Sequence, residues 1–432
     1  MKFVSTLSPR KAVSFTEAIF SGLAPDGGLY HPAYMPNLSD FFRSLSDEIP
    51  FGELASAFTS TLLSPEIDSS IARKIVQDAF SFAPVLREID DDIVMLELFH
   101  GPSLAFKDFG ASFLASAMNH LLGERGGRAI ILTATSGDTG GAVAQAFYKK
   151  TNIHVVILYP SGRVSPFQEK QITTLGENVT ALEVYGEFDD CQRMVKAAFS
   201  NPRLKKFPLT SANSINLGRL IPQSFYYIWA WAQMRTKGKI TFVVPSGNFG
   251  NLTAGLYAAA WGLPTGVFVA ATNANDVFPT FLLTGKYLPM PSVPTYSSAM
   301  DVGSPSNYER LKKLFSGNAD AFRQHIRAWS IDDDTTLKTI SKVYRDYGYL
   351  CCPHTAVGWK AAELFREQNP RSQVLILSTA HPGKFLDIVK EATGIAPTLP
   401  KLFTDVMQKK KAAHYIENRN EDLEDWIIQK FG

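Results

Sequence analysis

A chain of 432 residues, 45% hydrophobic and 19% charged, is too long for one ordinary core and is expected to form two or three structural units around a cleft. Its 43 basic and 41 acidic residues leave a formal net charge of +2, which excludes the broad positive field that nucleic acid or an anionic membrane would select. Three cysteines, Cys191 and the adjacent Cys351 and Cys352, supply neither a disulfide framework nor zinc-ligand spacing, so a reducing, cytoplasmic setting is expected.

The opening stretch MKFVSTLSPRKAVSFTEAIF is interrupted throughout by Ser, Thr, Arg and Lys, unlike the apolar core of a secretory signal. No later run approaches the roughly 18 apolar residues that span a bilayer. Residues 1–95 read as amphipathic helical stretches broken by Ala24-Pro25-Asp26-Gly27-Gly28-Leu29-Tyr30-His31-Pro32, and are expected to form an N-terminal unit. Residues 96–235 are expected to form a smaller α/β unit and 236–432 a larger one, with 272–335 a polar excursion near the site mouth. The charged, helical tail after Pro400 is expected only to pack on the surface.

From residue 129 onward one pattern recurs, an apolar β-rich run, a turn of small residues, then a helical segment. AIILTAT (129–135) leads into SGDTGG, HVVILY (154–159) into Pro160-Ser161-Gly162, ITFVV (240–244) into SGNFGN, and VLIL (374–377) into STAHPGK. Such strands predict an α/β protein whose parallel sheets are covered on both faces, with ligands beyond the carboxyl ends of the strands.

Lys107 lies in His100-Gly101-Pro102-Ser103-Leu104-Ala105-Phe106-Lys107-Asp108, among apolar neighbours and followed by Gly110, Ala111 and Ser112. Burial there disfavours an ammonium, and a neutral amine attacks carbonyls. The loop Ser246-Gly247-Asn248-Phe249-Gly250-Asn251 joins a strand to a helix, which leaves N–H groups converging on an anion. A nucleophilic amine and a phosphate cradle together point to pyridoxal 5'-phosphate. Thr135-Ser136-Gly137-Asp138-Thr139-Gly140 is a second anion-binding turn, suited to an amino-acid carboxylate, with the Asp138 side chain expected to turn away and satisfy backbone donors. Asn213-Ser214-Ile215-Asn216-Leu217-Gly218-Arg219 reads equally as a capped helix entry and as a polar cluster with a planar guanidinium for phosphate or carboxylate. Ser161, Arg163, Ser165, Gln168 and Lys170 read at least as well as a solvated face. Thr379 places a hydroxyl at a strand end, with His381 and Lys384 at spacings that could reach the same cleft.

HGPSLAFKD, TATSGDTGGA, NSINLGR, VPSGNFGN and STAHPGKF, preceded by APDGGLYHP, resemble the threonine synthases, pyridoxal-phosphate enzymes of the tryptophan synthase β-like (fold type II) superfamily. The resemblance spans residues 20 to 390 in family order. It implies two parallel-sheet α/β domains around a cleft with an additional N-terminal unit, and Lys107 as the residue that holds the cofactor covalently. It further implies that Gly247, Asn248, Phe249, Gly250 and Asn251 hold the cofactor phosphate and that Thr379 bonds the pyridine nitrogen. Thr135, Ser136, Gly137, Asp138 and Thr139 would take the substrate carboxylate, and Asn213 and Arg219 the substrate phosphate. Many superfamily members have asparagine where Asp138 stands, contacting the cofactor's phenolic oxygen. The implied reaction converts O-phospho-L-homoserine and water to L-threonine and phosphate in a monomer or homodimer, with domain closure excluding water. A phospholyase releasing a 2-oxoacid and ammonia, or a non-catalytic phosphate-binding α/β protein, are the alternatives.

Overall fold

The computed structural model describes residues 1–135, 137–235 and 238–432. Its strands are β1 (Phe3–Ser5), β2 (Tyr30–Pro32), β3 (Val85–Glu88), β4 (Ile93–Glu97), β5 (Ala129–Ala134), β6 (Ile153–Pro160), β7 (Val179–Tyr185), β8 (Leu209–Thr210), β9 (Ile240–Pro245), β10 (Phe268–Thr272), β11 (Ile326–Ser330), β12 (Gln373–Ser378) and β13 (His414–Glu417). Among the described residues they form a six-stranded sheet ordered β11-β10-β9-β12-β4-β3, a five-stranded sheet ordered β13-β7-β6-β5-β8 and the pair β1-β2. Within the two large sheets only the edge strand β3 runs antiparallel to its neighbour. The apolar runs explain this layout: every residue of β4, β9 and β10 is buried, as helices on both faces require. Two mainly parallel sheets with an additional N-terminal unit are the architecture that the sequence predicts.

Residues 1–80 pack directly on the rest of the molecule. Rings of Phe42 and Phe58 from this unit meet Trp231 and Phe225 of helix Gln223–Met234, at centroid separations of 6.5 and 5.9 Å. Gly28, in the Gly/Pro-rich segment, lies where a Cβ would come within 2.2 Å of Ser5 Oγ, so the β1-β2 pairing demands glycine there. The 272–335 excursion contains the crossover from β10 to β11, including helices Val277–Thr284, Tyr308–Leu314 and Ala319–His325. Its polar part folds on itself, with Asn273 Nδ2 and Thr295 Oγ1 donating to Asp301 Oδ1 at 2.8 and 2.7 Å.

Two segments pair outside the units to which the sequence reading assigned them. The tail after Pro400 is more than a surface layer: β13 extends the five-stranded sheet beside β7, and Leu423 and Ile427 of helix Asn420–Phe431 are fully buried against it. The tail is also stapled by Lys411, whose Nζ lies 2.7 Å from Glu169 Oε1 and 2.6 Å from Glu183 Oε2. Residues 93–97, β4, lie between β12 and β3 in the six-stranded sheet. Both pairings join residues far apart in sequence, which local hydrophobic patterning does not record.

Candidate active site

The lysine segment is sewn to the end of β12. Phe106 N donates to Thr379 O at 2.9 Å, His381 N donates to Leu104 O at 3.0 Å, and Ala105 bridges Ala380. Leu104 adopts a left-handed φ of 58°, which turns the chain so that Lys107 opens helix Lys107–Arg125 beside Thr379. The Thr379 side chain is buried, and among the described residues its hydroxyl makes no protein hydrogen bond. Gly110, one turn into the helix, is required by a neighbour: a Cβ there would stand 2.5 Å from Arg219 O.

Lys107 Nζ is 3.8 Å from Asp138 Oδ2. Burial lowers the lysine's pKa; the Asp138 carboxylate opposes that shift, and the charges of Lys384 and Arg219 reinforce it. Asp138 opens helix Asp138–Phe147 at the end of β5, but it does not turn away to cap backbone donors. Its Oδ1 pairs with Lys384 Nζ at 2.6 Å and accepts from Gln168 Nε2 at 3.2 Å. Burial opposes ionisation of Asp138, yet the ammonium groups of Lys384 and Lys107 overcome it and hold the carboxyl far below its ordinary range. Lys384, 2% exposed, completes its coordination on Ser103 O at 2.9 Å. Next to this pair, burial pushes Asp108 up to about 6 although Ser103 N donates to its Oδ2 at 2.8 Å.

The 135–140 turn distributes its donors unevenly. Thr135 Oγ1 accepts from Gly137 N at 3.0 Å and Gly140 N at 2.9 Å, so the Thr135 side chain is spent inside the turn. Among the described residues, the N–H groups of Asp138 and Thr139, and the Thr139 hydroxyl, have no protein partner. Ser136 lies outside the described residues.

Across the cleft, β9 delivers the 246–251 loop into helix Gly250–Ala260. Among the described residues, the main-chain N–H groups of Gly247, Asn248, Phe249, Gly250 and Asn251 find no protein acceptor. A Cβ on Gly247 would stand 2.8 Å from Met300 Cα, so the excursion closes tightly over the loop. Phe249 is left-handed, with φ of 59°. The Asn251 side chain faces inward, its Oδ1 accepting from the hydroxyls of Tyr226 and Tyr227, both at 2.7 Å. Asn248 Nδ2 donates to Ser214 Oγ at 3.1 Å, linking the loop to the 213–219 segment. There, Asn213 Oδ1 accepts from Thr133 Oγ1 at 2.7 Å. The buried Arg219 donates from Nη1 to Ala212 O at 2.9 Å while its Nε is left without a partner. Asn216 is structural, capping Gly218 N and donating to Ile19 O.

The profile of a family described as pyridoxal-phosphate dependent enzyme matches residues 84–380, and profiles described as threonine synthase N terminus and threonine synthase, C-terminal match 2–80 and 355–427. The chain is 42% identical over 405 residues to threonine synthases of Escherichia coli and Haemophilus influenzae, covering 93% of each chain compared. The chain belongs to the threonine synthase family. Its structure matches a threonine synthase from Brucella melitensis with PLP bound at a TM-score of 0.93 and 36% identity, covering 99% of both chains. The match to the Escherichia coli threonine synthase structure has a TM-score of 0.90 and 39% identity over the full length of both chains.

Pyridoxal phosphate, the cofactor of this threonine synthase family member, fits the cleft by chemistry. Five unpaired N–H groups suit a dianion, an amine of reduced basicity suits an aldehyde, and a free hydroxyl at 379 suits a ring nitrogen. Sequence reasoning named Lys384 and Gln168 without their partner, since nothing local ties either to Asp138. It missed His354 altogether: this histidine accepts from Ala299 N at 3.2 Å and is pushed down to about 4 by burial, with the Asp138 charge opposing that shift and the Lys107 charge reinforcing it. His381 caps its own turn, its Nδ1 accepting from Gly383 N at 3.0 Å.

Proposed function

We propose that Lys107 is the catalytic residue of a threonine synthase that converts O-phospho-L-homoserine and water to L-threonine and phosphate. When bound, pyridoxal phosphate supplies an electron sink for carbanions beside the amino carbon. Gly247, Asn248, Phe249, Gly250 and Asn251 would hold its phosphate through main-chain N–H groups, Thr379 its ring nitrogen and Lys107 its aldehyde. The single observation that carries the reading is the placement of Lys107 beside Thr379, fixed by the Phe106–Thr379 and Leu104–His381 hydrogen bonds.

In this reading Lys107 Nζ, which holds one transferred proton at a time, moves the protons taken from Cα and from Cβ of the substrate, and over the cycle two are returned, one to Cγ and one to Cα; its reduced basicity suits it to both directions near neutral pH. Asp138 and Thr139 N–H receive the substrate carboxylate. Arg219 and the free amide of Asn213 receive the substrate phosphate, which departs from Cγ before water adds its hydroxyl to Cβ, the water's remaining proton leaving with the phosphate. With Lys384 committed to Asp138, the Asp138 charge is balanced and need not repel that carboxylate. The N-terminal unit and the 272–335 excursion are the segments that would exclude water. We also propose operation in the cytoplasm as a monomer or homodimer.

Incubating the enzyme with phosphohomoserine and resolving threonine, 2-oxobutyrate and phosphate tests the reaction. Threonine and phosphate in equal amounts are expected, whereas 2-oxobutyrate with phosphate and no threonine would assign phospholyase action. Lys107→Ala should abolish turnover and the near-visible absorption band, and a fully active variant would remove Lys107 from the chemistry.

A further inference from the structure

The 246–251 loop is braced from outside by a buried arginine that faces no carboxylate. Arg310 is fully enclosed, and its guanidinium donates only to neutral oxygens: Nε to Tyr30 O at 2.8 Å, Nη1 to Asn307 Oδ1 at 2.6 Å and Nη2 to Ile215 O at 2.7 Å. Burial draws its pKa down to about 10, so it stays cationic at neutral pH. Its titratable neighbours add no negative charge. Burial and the nearby Arg310 charge push His31 down to about 4, and burial pushes the Tyr257 hydroxyl up, so both are neutral. A buried charge without a counter-charge is costly unless an anion arrives to balance it.

The connection to the loop runs through one amide. A guanidinium only donates, so Asn307 Oδ1 must face it, and this turns Asn307 Nδ2 to Asn248 O at 2.9 Å. In a trans peptide the C=O and the following N–H point opposite ways. Pinning Asn248 O therefore turns Phe249 N–H away from Asn307, toward the cleft, and holds Phe249 in a left-handed conformation that a bulky residue seldom adopts. Ser306 N, donating to Asn248 Oδ1 at 2.5 Å, holds the same residue from the side-chain end.

We infer that Arg310, acting through Asn307, is a positioning residue for the cofactor phosphate: it fixes the Asn248–Phe249 peptide with its N–H inward and supplies a distant positive charge that the dianion balances. This rests on the proposed role of residues 246–251. The test compares binding of pyridoxal phosphate and of pyridoxal, which lacks the phosphate, to cofactor-free protein by absorption titration. Arg310→Gln removes the charge. Asn307→Asp keeps the arginine, neutralises it and removes the donor to Asn248 O, so it also serves if the first variant fails to fold. Each should weaken pyridoxal phosphate about ten- to a hundredfold and leave pyridoxal within about twofold. Gly247→Ala, which crowds the loop against Met300, is the control for the loop itself and should show the same selective loss. If Gly247→Ala is selective but neither Arg310→Gln nor Asn307→Asp is, the Arg310 inference falls alone. If none is selective, the phosphate reading of the loop falls with it.

Discussion

Replacing Lys384 by methionine leaves the Asp138 carboxylate, 5% exposed, without its nearest counter-charge. The pair is 2.6 Å long, a gross attraction of about 6 kcal/mol at an effective dielectric constant near 20, from which the desolvation of two ions must be subtracted. Deleting one partner of a buried pair typically costs about 3–5 kcal/mol, because the survivor stays buried and charged. Here Gln168 still donates to Asp138 and Lys107 lies 3.8 Å away, so about 3 kcal/mol is expected. Asp138→Asn with Lys384→Met should recover most of it. Chemical unfolding of the cofactor-free wild type, both single variants and the double variant gives the coupling energy directly. The pH dependence follows from the depressed folded-state pKa of Asp138: its stabilisation is present above the unfolded value of 3.8 and lost as pH falls through the lower folded value. Lys384→Met relaxes that depression, so the gap to wild type should narrow in acid. A Lys384→Met cost below about 1 kcal/mol, or a double variant no more stable than Lys384→Met, would refute the argument.

Asp108 behaves with the opposite sign. Its folded pKa of about 6 lies above its ordinary value of 3.8, so it stabilises the fold when protonated, and wild-type stability relative to Asp108→Asn should fall by about 2 kcal/mol as pH rises from 4 to 6. A rise over that window in paired unfolding curves would contradict it. Gly110→Ala, which elsewhere in a helix would stabilise by up to about 1 kcal/mol, should here destabilise by about 1–3 kcal/mol and raise KM, since the new methyl meets Arg219 O. A thermal melt shifted upward would sink that reading. Lys411→Met leaves Glu183 buried with only Tyr159 and Ser161 as donors; it should cost about 1–3 kcal/mol and accelerate proteolysis near residues 409–413, and unchanged cleavage would mean that the staple does not hold the tail.

What the sequence made legible was chemistry confined to one loop. The glycines and asparagines of 246–251 and the small residues around Lys107 carry their geometry locally, because turns and close backbone approaches depend on the residues themselves. Partnerships formed across the fold were not legible. Lys384 and Asp138 are brought together only by packing the end of β12 against the end of β5, and Arg310 reaches Tyr30 and Ile215 only after three distant segments meet. Asn251 shows the same limit from the other side. Its residue type and place in the loop suggest a side-chain ligand, yet Tyr226 and Tyr227 from helix Gln223–Met234 claim its oxygen. The tail was misjudged because a short strand such as β13 acquires its meaning from the edge it joins.

The stitching of residues 104–106 to 379–381 has a mechanical consequence. The amine at 107, the hydroxyl at 379 and the loop after β9 are all anchored on the ends of neighbouring strands in one sheet, while the turn after β5 belongs to the other. A hinge between the two sheets would carry the first three groups as passengers on a single rigid frame and change only their spacing to the fourth. Retention of the coenzyme and grip on the incoming amino acid would then be separately adjustable, the first by substitutions within one body and the second by substitutions along the seam.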